Sequence, residues 1–144
     1  MIGDLRPKIV VIDGQGGRIG KQLIESMKEC FKDDIMIIAI GTNSIATANM
    51  IKAGADEGAT GENPVIVACK KADIILGPIG VVVADSLLGE VTEKMAVAVG
   101  KSQAVKLLIP INKCDNIVVG ISDCSITELI QYTIDKLREI LFEK

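Results

Sequence analysis

The glycine-rich stretch near the start of the chain has the residue types and spacing that point most directly to chemistry. An apolar run leads into Asp13, and glycine then fills four of the seven positions 14–20. Glycine lets the backbone turn tightly and approach a ligand, and a helix that begins after the turn directs unpaired N–H groups at it. We therefore predict that a phosphate or another anion binds the N–H groups of residues 16–19. A tight turn that only packs the strand against the helix is the alternative.

The spacing of these glycines differs from the usual dinucleotide fingerprint. The pattern G-x-G-x-x-G would need glycine at position 19, which is Ile19, whereas Gly14, Gly17 and Gly20 fit G-x-x-G-x-x-G. NAD-binding domains also usually carry Asp or Glu at the end of the second strand to hold the ribose. Here the corresponding stretch, 41–44, reads Gly-Thr-Asn-Ser. The chain thus lacks the acidic residue expected for NAD at that position.

The polar side chains of this second stretch are Thr42, Asn43 and Ser44. They would meet the 2′-phosphate of NADP with help from Arg18 or Lys21, so NADP or another nucleotide is the expected cofactor, and coenzyme A stays open. Capping of the helix that follows explains the same three residues equally well.

Strand-like and helix-like runs alternate along the chain and must position these loops. The predicted strands cover 8–13, 35–40, 56–60 (short and weak), 73–76, 106–111 and 116–121. The predicted helices cover 17–31, 44–53, 63–71, 84–88, 93–99 and 127–143. This alternation predicts a three-layer, Rossmann-like α/β fold, with a mostly parallel sheet and helices on both faces. The length of 144 residues suits a single nucleotide-binding-type domain over 1–144.

In such a fold the loops after the strands share the carboxyl edge of the sheet, and ligands bind where the strand order reverses. The loops at that edge are 14–20, 41–44, 60–63, 77–80 and 112–113, and all but the last contain glycine. An ordinary turn after a strand is the alternative for 77–80. The candidate ligand-binding residues are Gly14, Gln15, Gly16, Gly17, Arg18, Ile19, Thr42, Asn43, Ser44, Gly77, Pro78, Ile79 and Gly80.

Candidate catalytic groups are scarce, since the chain contains no histidine. Tyr132 and Lys136 have the Y-x-x-x-K spacing of short-chain dehydrogenases, but they follow the last predicted strand, which favours a chance pair on a helix surface. Asp13 is expected to support the glycine turn, with metal binding or repulsion of a phosphate as alternatives. Asp85 and Ser86 follow the fourth loop and are expected to be ordinary helix-start residues. No catalytic residue is assigned.

Composition excludes several classes of function. The net charge of −3, from 16 basic and 19 acidic residues, argues against non-specific nucleic-acid binding. The sequence has no run of 18 apolar residues, so we predict no membrane span. Residues 1–4 do not resemble a secretion signal. A cytoplasmic location is therefore expected. The four cysteines lack metal-site spacing, which predicts free thiols and no metal; a reactive Cys114 or Cys124 near a site is the alternative.

The segment 11–24, VIDGQGGRIGKQLI, resembles the opening of dihydrodipicolinate reductases, with Gly14, Gly17, Arg18 and Gly20 at matching positions. That family's catalytic half, with its histidines and lysine, has no counterpart in this chain. The resemblance therefore implies a glycine loop of the same kind and does not imply the reductase activity.

Nearly the whole chain resembles an uncharacterised bacterial family of short Rossmann-like proteins. The matching landmarks are VIDGQGGRIG at 11–20, AGADEGATGEN at 53–63 and ADIILGPIG at 72–80. This resemblance implies a nucleotide-binding-type fold in a cytoplasmic bacterial protein, and it supplies no activity.

Two classes of function fit these patterns. The first is a non-enzymatic sensor or partner module that binds a small nucleotide, and the alternative is a small NAD(P)-dependent reductase whose site a dimer partner completes, or a coenzyme A binder. The apolar segment 81–83 with Leu87 and Leu88 favours a homodimer surface, and buried core is the alternative.

Overall fold

The computed structural model describes residues 3–111, 116–121 and 123–143. The strands are β1 Lys8–Asp13, β2 Met36–Gly41, β3 Glu57–Thr60, β4 Ile74–Pro78 and β5 Val105–Ile109. They form one sheet in the order β3-β2-β1-β4-β5, and every pairing is parallel. The chain therefore folds as the α/β, Rossmann-like architecture that the alternating pattern predicts.

Helices cover both faces of this sheet. They are α1 Arg18–Phe31, α2 Ser44–Lys52, α3 Glu62–Lys71, α4 Glu93–Lys101 and α5 Ile126–Phe142, with short 3-10 turns at Lys32–Asp34 and Ile79–Val82. Successive residues of a strand point to opposite faces, so Ile9 and Val11 of β1 pack with α1, α2 and α5. Val10 and Ile12 pack with α3 and α4 on the other face. The three predicted layers are confirmed.

The order of the strands reverses at β1. The chain runs from β1 outward through β2 to β3, and then returns to place β4 on the opposite side of β1. The loops after β1 and β4 therefore diverge to opposite sides, which opens a crevice at the carboxyl edge where ligands bind in this class of fold. The glycine stretch follows β1 and lies at this crevice.

Two sequence predictions are wrong. The predicted helix over 84–88 is a series of turns, because Asp85, Leu87 and Leu88 have positive φ angles of 65, 55 and 56° that no right-handed helix allows. The predicted strand over 116–121 is not a strand: Val119 is 92% exposed, and Gly120 has φ 88° in a turn. The sheet thus has five strands in the described ranges. The loop 112–113 and Cys114 lie outside those ranges.

The apolar segment 81–83 mostly joins the core. Val81 is buried, and Val82 and Leu87 pack against the same cluster, whereas Leu88 is exposed. A homodimer stays a prediction. None of the helices in the described residues is long and apolar enough to cross a membrane.

Candidate functional site

The glycine turn between β1 and α1 is organised by Asp13. Its buried carboxylate accepts hydrogen bonds from the N–H of Gly14 and the N–H of Gly20, each at 2.8 Å. The turn is closed by a hydrogen bond from Gly17 N–H to Gly14 C=O at 2.8 Å, with Gly17 at φ 70°. Asp13 therefore supports the turn, as its position at the end of the strand predicts.

Helix α2 holds the turn from one side. Asn43 Nδ2 donates to the carbonyl of Gln15 at 2.9 Å, and Asn49 Nδ2 donates to the carbonyl of Gly16 at 2.8 Å. In a trans peptide the carbonyl and the next N–H point in opposite directions. Because the Gln15 carbonyl points at Asn43, the N–H of Gly16 points away from that side chain.

In the glycine turn and at the start of α1, three N–H groups have no hydrogen-bond partner among the described residues. Among the described residues, no hydrogen bond uses the N–H of Gly16, Arg18 or Ile19. The N–H of Gly17 is engaged inside the turn, so the anion site predicted on residues 16–19 has three free donors rather than four. These donors sit at the end of α1 where the helix dipole is positive.

A small cavity opens beside this turn, at the strand reversal. Its volume is about 80 Å³, roughly half of a ~150 Å³ cavity that holds benzene. It has room for a phosphate group, while a nucleoside would have to lie outside it. The lining residues are Asp13, Gly14, Gln15, Gly16, Gly17, Arg18, Ile19, Pro78, Leu87 and Ile111.

Glu90 lies at the rim of this site, and the sequence interpretation missed it. Its Oε1 accepts hydrogen bonds from three donors at the ends of β1 and β2. They are Gln15 N–H at 2.9 Å, Thr42 Oγ1 at 2.6 Å and Asn43 Nδ2 at 2.7 Å. The acidic group expected at the end of β2 thus comes from the loop between β4 and α4. No local motif marks Glu90, because its partners are 47 to 75 residues away in sequence.

The Glu90 carboxylate is charged and has one oxygen open to solvent. Burial raises the pKa of Glu90, but the hydrogen bonds that its carboxylate accepts lower it by more in total. The largest of these lowering effects comes from the Thr42 hydroxyl, and the pKa lies below its usual value. Oε2 has no hydrogen-bond partner among the described residues. Every fully buried side-chain oxygen there does have a partner, so Oε2 must reach water. Within the same residues, no Lys or Arg lies within 4.0 Å of the carboxylate.

The loop that carries Glu90 is compact and strained. Asp85 N–H donates to the Val91 carbonyl at 2.7 Å and closes the base of the loop, while the Ser86 hydroxyl bonds to the Gly80 carbonyl. Left-handed backbone costs an ordinary L-residue about 1–2 kcal/mol, and three such residues occur between positions 85 and 88. The loop therefore holds Glu90 on a backbone that is costly to form.

The structure brings together only part of the predicted site. Pro78 lines the cavity. Gly77 is a β4 residue packed on the Ile12 carbonyl, and Ile79 and Gly80 form a 3-10 turn. Ser44 is exposed in the first turn of α2. Asn43 does cap α2, by accepting from Ala46 N–H at 2.9 Å, and so it combines the capping role with its contacts to the glycine turn.

The remaining candidates lie apart from this cavity. Tyr132 and Lys136 line a groove beside β5, where Lys136 pairs with Glu139 at 3.3 Å. Burial raises the pKa of the Cys69 thiol to about 11, which keeps it protonated and unreactive. Cys30 and Cys69 are free thiols, and no group of three or more metal-ligating side chains occurs in the described ranges.

Several solved structures are similar to this chain. A dodecameric FMN-dependent UbiX-like decarboxylase from Escherichia coli O157:H7 is 14% identical over 90% of this chain and 75% of its own, with a TM-score of 0.47. A universal stress protein in complex with cAMP is 18% identical over 74% and 98%, with a TM-score of 0.43. A universal stress protein from Archaeoglobus fulgidus is 16% identical over 73% and 98%, with a TM-score of 0.42.

No curated protein sequence matches the chain. A family model does match it, over residues 8–142, and this span holds every strand and α-helix of the described residues. The landmark segments of the sequence predict an uncharacterised family, and this match confirms it. The chain belongs to the family described as Domain of unknown function (DUF3842).

Proposed function

We propose that the protein binds a nucleotide or dinucleotide at the glycine turn and acts as a non-enzymatic sensor or partner module. The observation that carries this proposal is a group of three N–H donors, on Gly16, Arg18 and Ile19, that have no partner in the described part of the chain and lie beside a cavity of about 80 Å³. Backbone donors at a helix N-terminus bind phosphate because the groups and the dipole both favour negative charge. The cavity limits the bound group to about the size of one phosphate.

A cationic side chain is free to join these donors. Arg18 is exposed, lines the cavity and forms no ion pair among the described residues. Its planar guanidinium can bind two phosphate oxygens at once. Since the cavity has no room for a sugar and base, the nucleoside would extend along the surface toward Thr42 and Asn43, at the end of β2.

The lining of the cavity favours binding over catalysis. Asp13 is its only titratable residue besides Arg18 in the described ranges, and its carboxylate holds the glycine turn. A base or nucleophile acting on a group bound in the cavity would need a free side chain in the cavity lining. We therefore place the protein among ligand sensors rather than enzymes.

Gly16→Asp tests the anion site without disturbing the fold. A Cβ on Gly16 would meet only the Arg18 Cγ, at 3.9 Å, so a side chain fits there. The new carboxylate would occupy the donors that the phosphate needs and would repel it. Gly16→Asn adds nearly the same volume without the charge and serves as the matched control.

The assay is calorimetric titration with ATP, NAD, NADP and coenzyme A, supported by thermal shift. A ligand at 100 times its Kd adds about 2.7 kcal/mol of stability, which is roughly a 5–11 °C rise in Tm for a chain of this size. We expect Gly16→Asp to weaken binding at least about tenfold and Gly16→Asn to weaken it less. The proposal fails if none of the four ligands raises the Tm at millimolar concentration. If NADPH binds, loss of its absorbance with carbonyl substrates would indicate a reductase instead.

A further inference from the structure

The position of the Glu90 carboxylate determines which nucleotide sugars can bind beside it. Its Oε1 bridges the glycine turn, through Gln15 N–H, and the end of β2, through Thr42 and Asn43. In dinucleotide-binding folds with this strand order, the phosphate lies on the glycine turn and the ribose lies at the end of the second strand. The Glu90 carboxylate therefore lies beside the position expected for the ribose of a ligand bound at the turn.

One oxygen of this carboxylate is free to accept hydrogen bonds from a ligand. Oε1 already takes three hydrogen bonds, which fix its position, whereas Oε2 has no partner in the described part of the chain and reaches solvent. An ionised carboxylate only accepts hydrogen bonds. A hydroxyl can donate to Oε2, and a phosphate at neutral pH cannot donate well to it.

The negative charge of Glu90 would also repel a phosphate group on the ribose. No Lys or Arg of the described residues lies within 4.0 Å of it. A phosphate on the ribose would bring a second negative charge to about 4 Å. At a protein surface such a pair weakens binding about tenfold or more.

Glu90 is also held in place from two sides. Its own backbone N–H donates to the Leu87 carbonyl at 3.2 Å, and the loop around it is closed by the bond between Asp85 and Val91. A preorganised acceptor does not lose side-chain freedom when the ligand arrives. This favours a role in ligand selection over that of an incidental surface acid.

From this geometry we propose that Glu90 is a specificity-determining residue, which accepts hydrogen bonds from a free ribose diol and excludes ribose that carries a 2′- or 3′-phosphate. The proposal rests on the nucleotide site proposed above and narrows its ligand class. It favours NAD, ADP-ribose or a simple nucleoside phosphate over NADP and coenzyme A. Thr42 and Asn43, which the sequence suggests as partners of a 2′-phosphate, hold the selecting carboxylate instead.

The test compares NAD with NADP, which differ only in the 2′-phosphate. We expect wild-type protein to bind NAD at least about tenfold more tightly than NADP by calorimetric titration. Glu90→Gln keeps the size of the side chain and removes its charge, so the preference should fall to about threefold or less, through tighter NADP and weaker NAD binding. Glu93→Gln, at the exposed start of α4, removes the same charge nearby and should leave the preference unchanged.

Several results would overturn the proposal. Equal affinity of the wild-type protein for NAD and NADP would do so without any variant, and this measurement stands even if Glu90→Gln fails to fold. An equal gain in affinity for both ligands in Glu90→Gln would mean that Glu90 only blocks the site. In both cases nucleotide binding itself would stand. If the wild-type protein binds none of NAD, NADP, ATP and coenzyme A, the proposed function and this inference fail together.

Discussion

Replacing Leu88 with glycine should stabilise the protein, although it removes a large apolar side chain. Leu88 has φ 56° and is 89% exposed, so little apolar surface is lost from the core. Glycine adopts this left-handed backbone without strain, which stabilises the folded state by about 1–2 kcal/mol. Glycine also makes the unfolded chain more flexible, which lowers the free energy of unfolding by about 0.4–1 kcal/mol. The net expectation is a gain of about 0–1.6 kcal/mol in the free energy of unfolding.

Leu5→Gly is the matched control for this prediction. Leu5 is 88% exposed, lies outside any helix or strand and is not among the residues with positive φ. Leu5→Gly therefore makes the unfolded chain more flexible without relieving backbone strain. It should lower the free energy of unfolding by about 0.4–1 kcal/mol. The two variants should differ by about 1–2 kcal/mol, or roughly 2–8 °C in Tm.

Urea unfolding with linear extrapolation measures both variants. An equal loss of stability in Leu88→Gly and Leu5→Gly would refute the reasoning, because it would mean that the loop stores no strain at position 88. A gain confined to Leu88→Gly would show that the loop keeps an unfavourable backbone. Stored strain of this kind is expected where a loop must hold a functional group in one position, which is the role that we propose for Glu90.

Two further predictions concern the turn and its carboxylate. Gly17→Ala should destabilise the protein by about 1–3 kcal/mol in the same urea assay, because Gly17 has φ 70° and a Cβ there would lie 2.9 Å from the backbone of α2. Gly16→Ala, without either problem, should change stability by less than about 1 kcal/mol. The folded-state pKa of Glu90 lies below its unfolded value, so its contribution to stability is present above the unfolded pKa and is lost as the pH falls through the folded pKa. Glu90→Gln should therefore reduce the loss of stability on acidification, measured as Tm against pH.

Local sequence signals predict the centre of the fold. The apolar run of β1 marks a strand that is buried on both faces, and the glycines at 14, 17 and 20 mark the turn that follows it. At the third of these, Gly20, a Cβ would overlap the sulfur of the buried Met50, so a side chain there would force Met50 to move. Such signals lie within a few residues of the structure they specify, and so they can be interpreted without knowing the rest of the chain.

The loop after β4 shows where local signals fail. Residues 84–88 combine polar and apolar residues as a short helix does, yet their backbone is fixed by bonds across the loop, such as that from Val91 N–H to the Ser86 carbonyl at 3.2 Å. Glu90 then takes its partners from the ends of β1 and β2. A contact between such distant segments depends on the strand order, which places the β4 loop opposite the glycine turn. A glutamate at position 90 does not by itself indicate this contact.

Asn43 shows how the predictable and unpredictable parts of the site are joined. Its Oδ1 caps α2, as Asn before a helix predicts, and this bond fixes the direction of the amide. With Oδ1 so engaged, Nδ2 has two hydrogens left, and it gives one to the Gln15 carbonyl and one to Glu90. A local cap therefore orients the donor that holds both the glycine turn and the distant carboxylate. An aspartate would cap α2 equally well, but it would offer no donor and would repel Glu90, so the choice of asparagine is explained by the site and not by the helix.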